Sequence, residues 1–297
     1  MKRLTYLLLV LTAAAGFGCE TVIQTNLDTG PAQLSVDGLL TDQPGPQRIR
    51  LTRSAAYFDN SPAPVASGAT VTVTDNAGKT YRFTDPDNDG YYVWTPAAGD
   101  TLGRIGQSYT LTVGYQNQTY TARSAMNRVP PVDSIVFRRQ RITPVSNEFG
   151  YQAEFYARDI AGAPDYYRVR YYKNDTLQNR PADIITVYDA SFSNNANTDG
   201  LLFIQPIRQA ANPDRFYALN NSVRIEILSL TLDAYTFLRE LRTQLTNTGL
   251  FARPATNVPT NLVNTNPNGP PATGYFMTCA VRSRAARVSA ENLRPAE

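Results

Sequence analysis

ATVTVTDNAGKTYRFT, residues 69 to 84, decides the fold class. Val71 and Val73 alternate with threonines, Asp75-Asn76-Ala77-Gly78 carries turn chemistry, and Tyr81 and Phe83 resume the alternation on the way back. Apolar residues at every second position put one face in a core and the other in water. Asp, Asn and Gly tolerate the backbone of a tight turn. The stretch therefore predicts an antiparallel hairpin. SYTLTVGYQNQTYTAR, residues 108 to 123, repeats the plan: Leu111 and Val113 lead in, Gln116-Asn117 turns, and Tyr120 and Ala122 return. RIRLTRS, residues 48 to 54, sets Ile49 and Leu51 on one face. Turn signals recur about every 8–12 residues, the pattern of an all-β sandwich. Residues 32–129 are expected to form an immunoglobulin-like β-sandwich.

Working outward, NRVPPVDS at 127 to 134 reads as a boundary, because adjacent prolines stiffen the chain and cannot donate to a ladder. A second β-rich domain is expected over 132–297, with strand-like DSIVFRR, YQAEFYARDI, DYYRVRYYKN and DIITVYDAS. The paired tyrosines Tyr166-Tyr167 and Tyr171-Tyr172 read as strand residues filling both faces. One amphipathic helix is predicted near 231–246. Leu230, Ala234, Phe237, Leu238, Leu241 and Leu245 form its apolar stripe, Thr231 its cap, Asp233 its first turn and Gly249 its end. FARPATNVPTNLVNTNPNGPPATG contains a long Pro/Asn-rich loop at 252–273, expected to be an exposed contact surface. AVRSRAARVSAENLRPAE reads as a polar, loose tail. The fold class is thus mainly β: an N-terminal immunoglobulin-like sandwich, then a second β-rich domain carrying one helix.

The beginning of the chain is an address. MKRLTYLLLVLTAAAGFGC opens with Lys2 and Arg3, continues with an apolar run from Leu7 to Ala15, and ends on small residues and Cys19. The run is too short to span a bilayer, which favours a secretory signal. The Gly18-Cys19 junction resembles a bacterial lipobox, in which the cysteine is lipidated and becomes the first mature residue. Gly16 and Phe17 depart from that pattern, and an ordinary signal peptide with a chance cysteine is the alternative. On the lipobox reading 1–18 is a lipoprotein signal peptide, 19–31 a tether, and Cys19 the lipidation site anchoring the protein to the membrane. Cys279, the other cysteine, then has no disulfide partner and reads as a small buried hydrophobe.

Composition excludes several chemistries. There is no histidine, so Ser-His-Asp and Cys-His catalysis and histidine metal ligation are ruled out. No Gly-rich phosphate loop is present. Removal of residues 1–18 takes Lys2 and Arg3 from 28 basic residues, leaving 26 against 25 acidic ones and no long basic stripe. Nucleic-acid binding is not expected. The 25 acidic residues offer no evident pair for glycoside hydrolysis. The expectation is a non-enzyme without catalytic residues or cofactor.

TDPDNDGYYVW, residues 84 to 94, is the stretch that most resembles a metal site. Asp85, Asp87 and Asp89 alternate before Gly90, as at the start of an EF-hand loop. The closing bidentate glutamate is missing: position twelve is Pro96 and position nine Val93. The flanks read as strands and Pro86 constrains the loop, so a polar turn is the reading. The alternative is a weak calcium site in which water or Asp100 completes the shell.

Several stretches carry a resemblance. CETVIQTNLDTGPAQLSVDGLLTDQPGPQRIRLTRSAAYFD, ASGATVTVTDNAGKTYRF, IGQSYTLTVGYQNQTYTARSAMNRVPPVDSI, DYYRVRYY, LDAYTFLREL and the late GYF resemble, in that order, the Bacteroidota envelope lipoproteins of the domain of unknown function 4249 family. The resemblance covers nearly all of the mature chain. It implies an outer-membrane lipoprotein, often encoded beside a TonB-dependent transporter, and it transfers no catalytic residues. DTL at 100 and 175 and DSI at 133 also resemble that phylum's short O-glycosylation sequon. The expected function is a non-enzymatic accessory or ligand-capture partner of a TonB-dependent transporter. The alternative is a cell-surface adhesion or envelope-structural lipoprotein with no transported ligand.

Overall fold

The computed structural model describes residues 30–55, 59, 61–143, 145, 147–193, 197–212, 216–248, 252, 254 and 256–294. Seven strands follow one another first: β1 Leu34–Thr41, β2 Gln47–Arg53, β3 Thr70–Asp75, β4 Thr80–Phe83, β5 Tyr91–Trp94, β6 Ser108–Tyr115 and β7 Gln118–Ala125. The hairpin that fixed the fold class is β3–β4, with Val71 opposite Phe83 and Val73 opposite Tyr81. Asp75 ties its turn by accepting from the Ala77 and Lys79 amides at 2.9 Å each. The β6–β7 turn is two residues long, and Gln116 and Asn117 both have positive φ (49° and 59°). That mirror-image turn matches the twist of a hairpin.

These strands form two sheets, one ordered β1–β2–β5 and the other β7–β6–β3–β4. Their inner faces share a core containing Val36, Leu40, Ile49 and Leu51 from the first and Val71, Val73, Leu111 and Val113 from the second. The result is an immunoglobulin-like sandwich in a mainly β chain.

The second set comprises β8 Ser134–Arg141, β9 Phe149–Tyr156, β10 Tyr166–Lys173, β11 Thr176–Leu177, β12 Ile185–Tyr188, a short helix α1 Gln205–Arg208, β13 Ser222–Leu230 and the helix α2 Leu232–Thr246. Thr231 caps α2 as expected, its Oγ1 accepting from the Ala234 amide at 3.2 Å. The buried stripe differs in detail. Ala234, Tyr235 and Leu238 are buried, Leu245 is 48% exposed, and Leu230 belongs to β13. Gly249 lies outside the described residues. Four strands complete the chain: β14 Val263–Asn264, β15 Ala272–Cys279, β16 Val281–Arg287 and β17 Leu293–Arg294.

The C-terminal segment does not stay in the second set. β15 pairs in parallel with β1, from Leu34–Ala272 to Thr41–Cys279, and β14 pairs with β7. A single residue later the chain becomes β16 and pairs with β13. β15 is apolar on both faces because both are covered. Phe276 joins the sandwich core, whereas Tyr275, Met277 and Cys279 join a second cluster with Leu228, Ala234 and Leu238. A strand buried on two sides reads as a continuous apolar run, not an alternating one. Nor is the tail loose as far as Arg294. Val288 is buried and β17 pairs with β8, Leu293 opposite Phe137. The proline stretch between the two sets is also pinned. Asn127 donates to the Leu230 carbonyl, Arg128 pairs with Asp165, and Val129 and Val132 are buried.

Candidate functional site

The aspartate stretch is a hydrogen-bonded turn. Asp85 accepts from the amides of Asp89 and Gly90 at 3.1 Å each, and Asp89 accepts from the Tyr91 amide at 2.9 Å. Asn88 and Gly90 take positive φ (56° and 82°), which Asn and Gly allow. Asp100 pairs with Lys79, whose hydrogen bond holds that carboxyl below its ordinary value. Among the described residues no three His, Cys, Asp or Glu side chains gather as a metal-ligand group.

Cys279 is fully buried, and burial pushes its thiol up to about 12 despite Arg170 and Arg168 nearby. A thiol that stays protonated there packs as an apolar group. Cys19 lies outside the described residues. Thr101 and Thr176, of the two DTL triplets, are exposed, and Ser134 opens β8.

Part of the expected contact loop is structural. Asn261 donates to the Phe276 carbonyl at 2.7 Å and the Arg123 carbonyl at 3.2 Å, and accepts from the Phe276 amide at 3.0 Å. It thereby clamps β15 to β7, and Leu262 beside it is buried. Asn264 donates to Gln118 at 3.1 Å and to the Pro270 carbonyl at 2.9 Å. Among the described residues of the loop, 252, 254, 256, 257, 259, 260, 263, 265–268, 270, 271 and 273 are exposed.

A cleft of about 330 Å³ lies between α2 and the outer face of β1 and β15. Leu39, Met277, Ile184, Phe237 and Leu241 supply apolar walls, and Phe237 stacks on Tyr275 at 4.6 Å. Burial pushes the Tyr275 phenol up to about 12. Asp37 and Ser35 stand at the β1 side. Arg168 of β10 also lines the cleft, and its Nε is closed off from solvent without a hydrogen-bond partner. Its neighbours on the same strand face are paired. Arg170 donates to Glu226 at 2.6 Å, Arg224 also pairs with Glu226, and Tyr172 donates to it at 3.1 Å. Burial first, then the like charge of Arg170, holds the Arg168 guanidinium below its ordinary value, with Asp37 acting the other way.

The family described as "Domain of unknown function (DUF4249)" matches residues 20–285. The chain belongs to the DUF4249 family. No curated protein matches it. Among solved structures, a two-domain fibronectin type-III segment from chicken tenascin is similar at 15% identity. The match covers 68% of this chain and 92% of that one, with a TM-score of 0.20. A score that low bears on neither fold nor function.

In this DUF4249 chain the sequence motif most like a site is a turn, and an arginine with an unpartnered buried Nε, Arg168, lines a cleft elsewhere. DYYRVRYY places Tyr166, Arg168, Arg170 and Tyr172 on one strand face. That alternation was available as a signal. Which arginine has an acid opposite was not, because the register with β13 sets Arg170 against Glu226 and Arg168 against Leu228.

Proposed function

We propose that this DUF4249 protein is a lipid-anchored, non-enzymatic binding protein of a Bacteroidota outer membrane, working beside a TonB-dependent transporter. The observation that carries the reading is the Gly18-Cys19 junction behind a basic and apolar leader, followed by a β-rich body. A chain without histidine and with its second cysteine buried acts by contact. The exposed parts of the 256–268 loop and the cleft under α2 are the surfaces it offers. A stable partner contact buries on the order of 1,600 Å², so several such surfaces act together.

The test is capture from native membranes. Wild type is expected to bring down a TonB-dependent barrel from the detergent extract, and Cys19→Ala to leave the membrane fraction. A wild type that captures no transporter overturns the uptake role and favours adhesion. A Cys19→Ala protein that still partitions with detergent overturns the anchor.

A further inference from the structure

We propose that the cleft under α2 binds a small molecule carrying one carboxylate on an apolar body, with the carboxylate held by Arg168. The proposal rests on the binding role given above, but not on the transporter.

The argument begins with an unbalanced charge. Arg168 is half-buried, and a guanidinium nitrogen closed off from water costs stability unless an acceptor pairs with it. Among the described residues Arg168 has no ion pair and no hydrogen bond, and its Nε is sealed. The nearby acids do not supply the anion. Glu226 is taken by Arg170, Arg224 and Tyr172. Asp37 lines the same cleft and makes no ion pair with Arg168. Across the ladders Arg168 stands between Leu228 of β13 and Thr186 of β12, neither of which carries a charge. The guanidinium thus borders an open cleft with no protein acceptor for its donors.

The shape of that space selects the ligand. One planar guanidinium matches one carboxylate by two parallel hydrogen bonds. A phosphate dianion would meet a single free cation and the charge of Asp37 nearby. Leu39, Met277, Phe237 and Leu241 form a hydrophobic trough beside the guanidinium. A volume of about 330 Å³ is at the small end of ligand pockets, which suits a short chain or one ring and not a polymer.

Titration calorimetry of the purified full chain with acetate, hexanoate and hexan-1-ol tests this. Hexanoate is expected to bind at least tenfold more tightly than either acetate or hexan-1-ol, because only it fills both halves of the cleft. Arg168→Met keeps the stem and removes the charge. It is expected to lose tenfold or more in hexanoate affinity while hexan-1-ol is unaffected. Leu241→Trp fills the trough and is expected to abolish hexanoate binding with the circular dichroism spectrum unchanged. It keeps the test decisive if Arg168→Met does not fold. Equal binding of hexanoate and hexan-1-ol to wild type, or unchanged hexanoate affinity in Arg168→Met, overturns the proposal. Equal affinity for acetate and hexanoate overturns its apolar half. Transporter capture is a separate readout, so failure of one reading does not imply failure of the other.

Discussion

The first sandwich and the second β set handle buried polarity in opposite ways. Among the described residues between Leu34 and Ala125 no carboxylate is buried, and the buried polar side chains are Gln47 and Ser124. Of its buried tyrosines, Tyr92 donates to the Ala66 carbonyl and Tyr109 to the Leu102 carbonyl, each at 2.8 Å, and Tyr81 reaches the half-buried Asp75 carboxylate at 3.3 Å. The second set buries Glu154, Asp159, Asp165, Asp183, Asp189 and Glu226. Two of its buried tyrosines donate to those acids, Tyr167 to Asp159 at 2.6 Å and Tyr171 to Asp183 at 2.7 Å, while Tyr217 donates to the Ala211 carbonyl at 3.0 Å. One half is held by packing and turns. The other adds a charge network whose members depend on each other, so a single deletion there leaves buried charges without partners.

The largest expected effect tests that contrast directly. Glu154 is 1% exposed and holds Arg138 at 2.8 Å, Arg208 at 3.1 Å and the Tyr156 hydroxyl at 2.9 Å. Glu154→Ala is expected to lower the unfolding free energy by about 3–5 kcal/mol, the usual consequence of stranding buried partners. Asp75→Ala in the first sandwich removes two turn hydrogen bonds near water and a long one from the Tyr81 phenol, and is expected to lose about 1–2 kcal/mol. Urea unfolding of both variants gives the two numbers. Equal losses would erase the distinction between the halves.

Next comes the strand that joins them. Gly274 in β15 has φ +84°, and a Cβ there would overlap the Val36 carbonyl of β1. Gly78 has a similar φ of +88° but opens onto free space. Alanine at either position carries about 1–2 kcal/mol of left-handed strain. Gly274→Ala is expected to lose more than Gly78→Ala, and the excess measures the parallel pairing of β15 on β1. Equal melting temperatures would mean that β15 shifts freely on β1.

What was legible follows the same division. The first sandwich could be read because Val71, Val73, Leu111 and Val113 alternate and their turns carry Asp, Asn and Gly in short range. The role of β15 could not, because its partner Leu34 lies more than two hundred residues upstream and a two-faced apolar run does not say what covers it. The tail was misread for a related reason. The sequence VRSRAAR has a weak pattern, yet β16 hydrogen-bonds to β13 throughout its length. The acid network was illegible because Glu154, Arg138 and Arg208 come from three elements. The aspartate turn was legible in both residues and chemistry, since its bonds span only a few positions.

The acid response is the third and smaller effect. In Glu154, burial favours the neutral form, but hydrogen bonds from Arg138 and Tyr156 and the nearby arginine charges outweigh it and lower the pKa. Asp183 behaves alike through Arg180 and Tyr171. These groups stabilise the fold above their ordinary values of 4.5 and 3.8, and the contribution is lost as pH falls through the lowered folded values. Asp165 and Asp189 are raised, first by burial. Their contribution is complete below 3.8 and is lost as pH rises through the raised folded values. Stability should therefore increase slightly from neutral to mildly acidic pH and then fall below about 3.8. Urea midpoints across pH 7 to 3 check the shape. Glu154→Gln should flatten the acid limb, and an unchanged limb would remove the second set's network from the account.

The smallest expected effect is on the aspartate turn, and it separates a turn from a metal site within the first sandwich. Asp85 and Asp89 already spend carboxylate oxygens on the amides of Asp89, Gly90 and Tyr91. Calcium takes six to eight oxygens, so binding would have to compete with those bonds or share them. Asp87 is exposed and is the aspartate whose loss disturbs none of those three bonds. Asp87→Ala is expected to change stability by less than about 0.5 kcal/mol, as for an ordinary surface position. Chelation should leave the melting temperature of wild type unchanged. A metal held at a hundredfold excess over its Kd would add about 2.7 kcal/mol, which a thermal scan resolves easily. A calcium-dependent rise that disappears in Asp87→Ala would make the first sandwich, not the cleft under α2, the first place to look for a ligand.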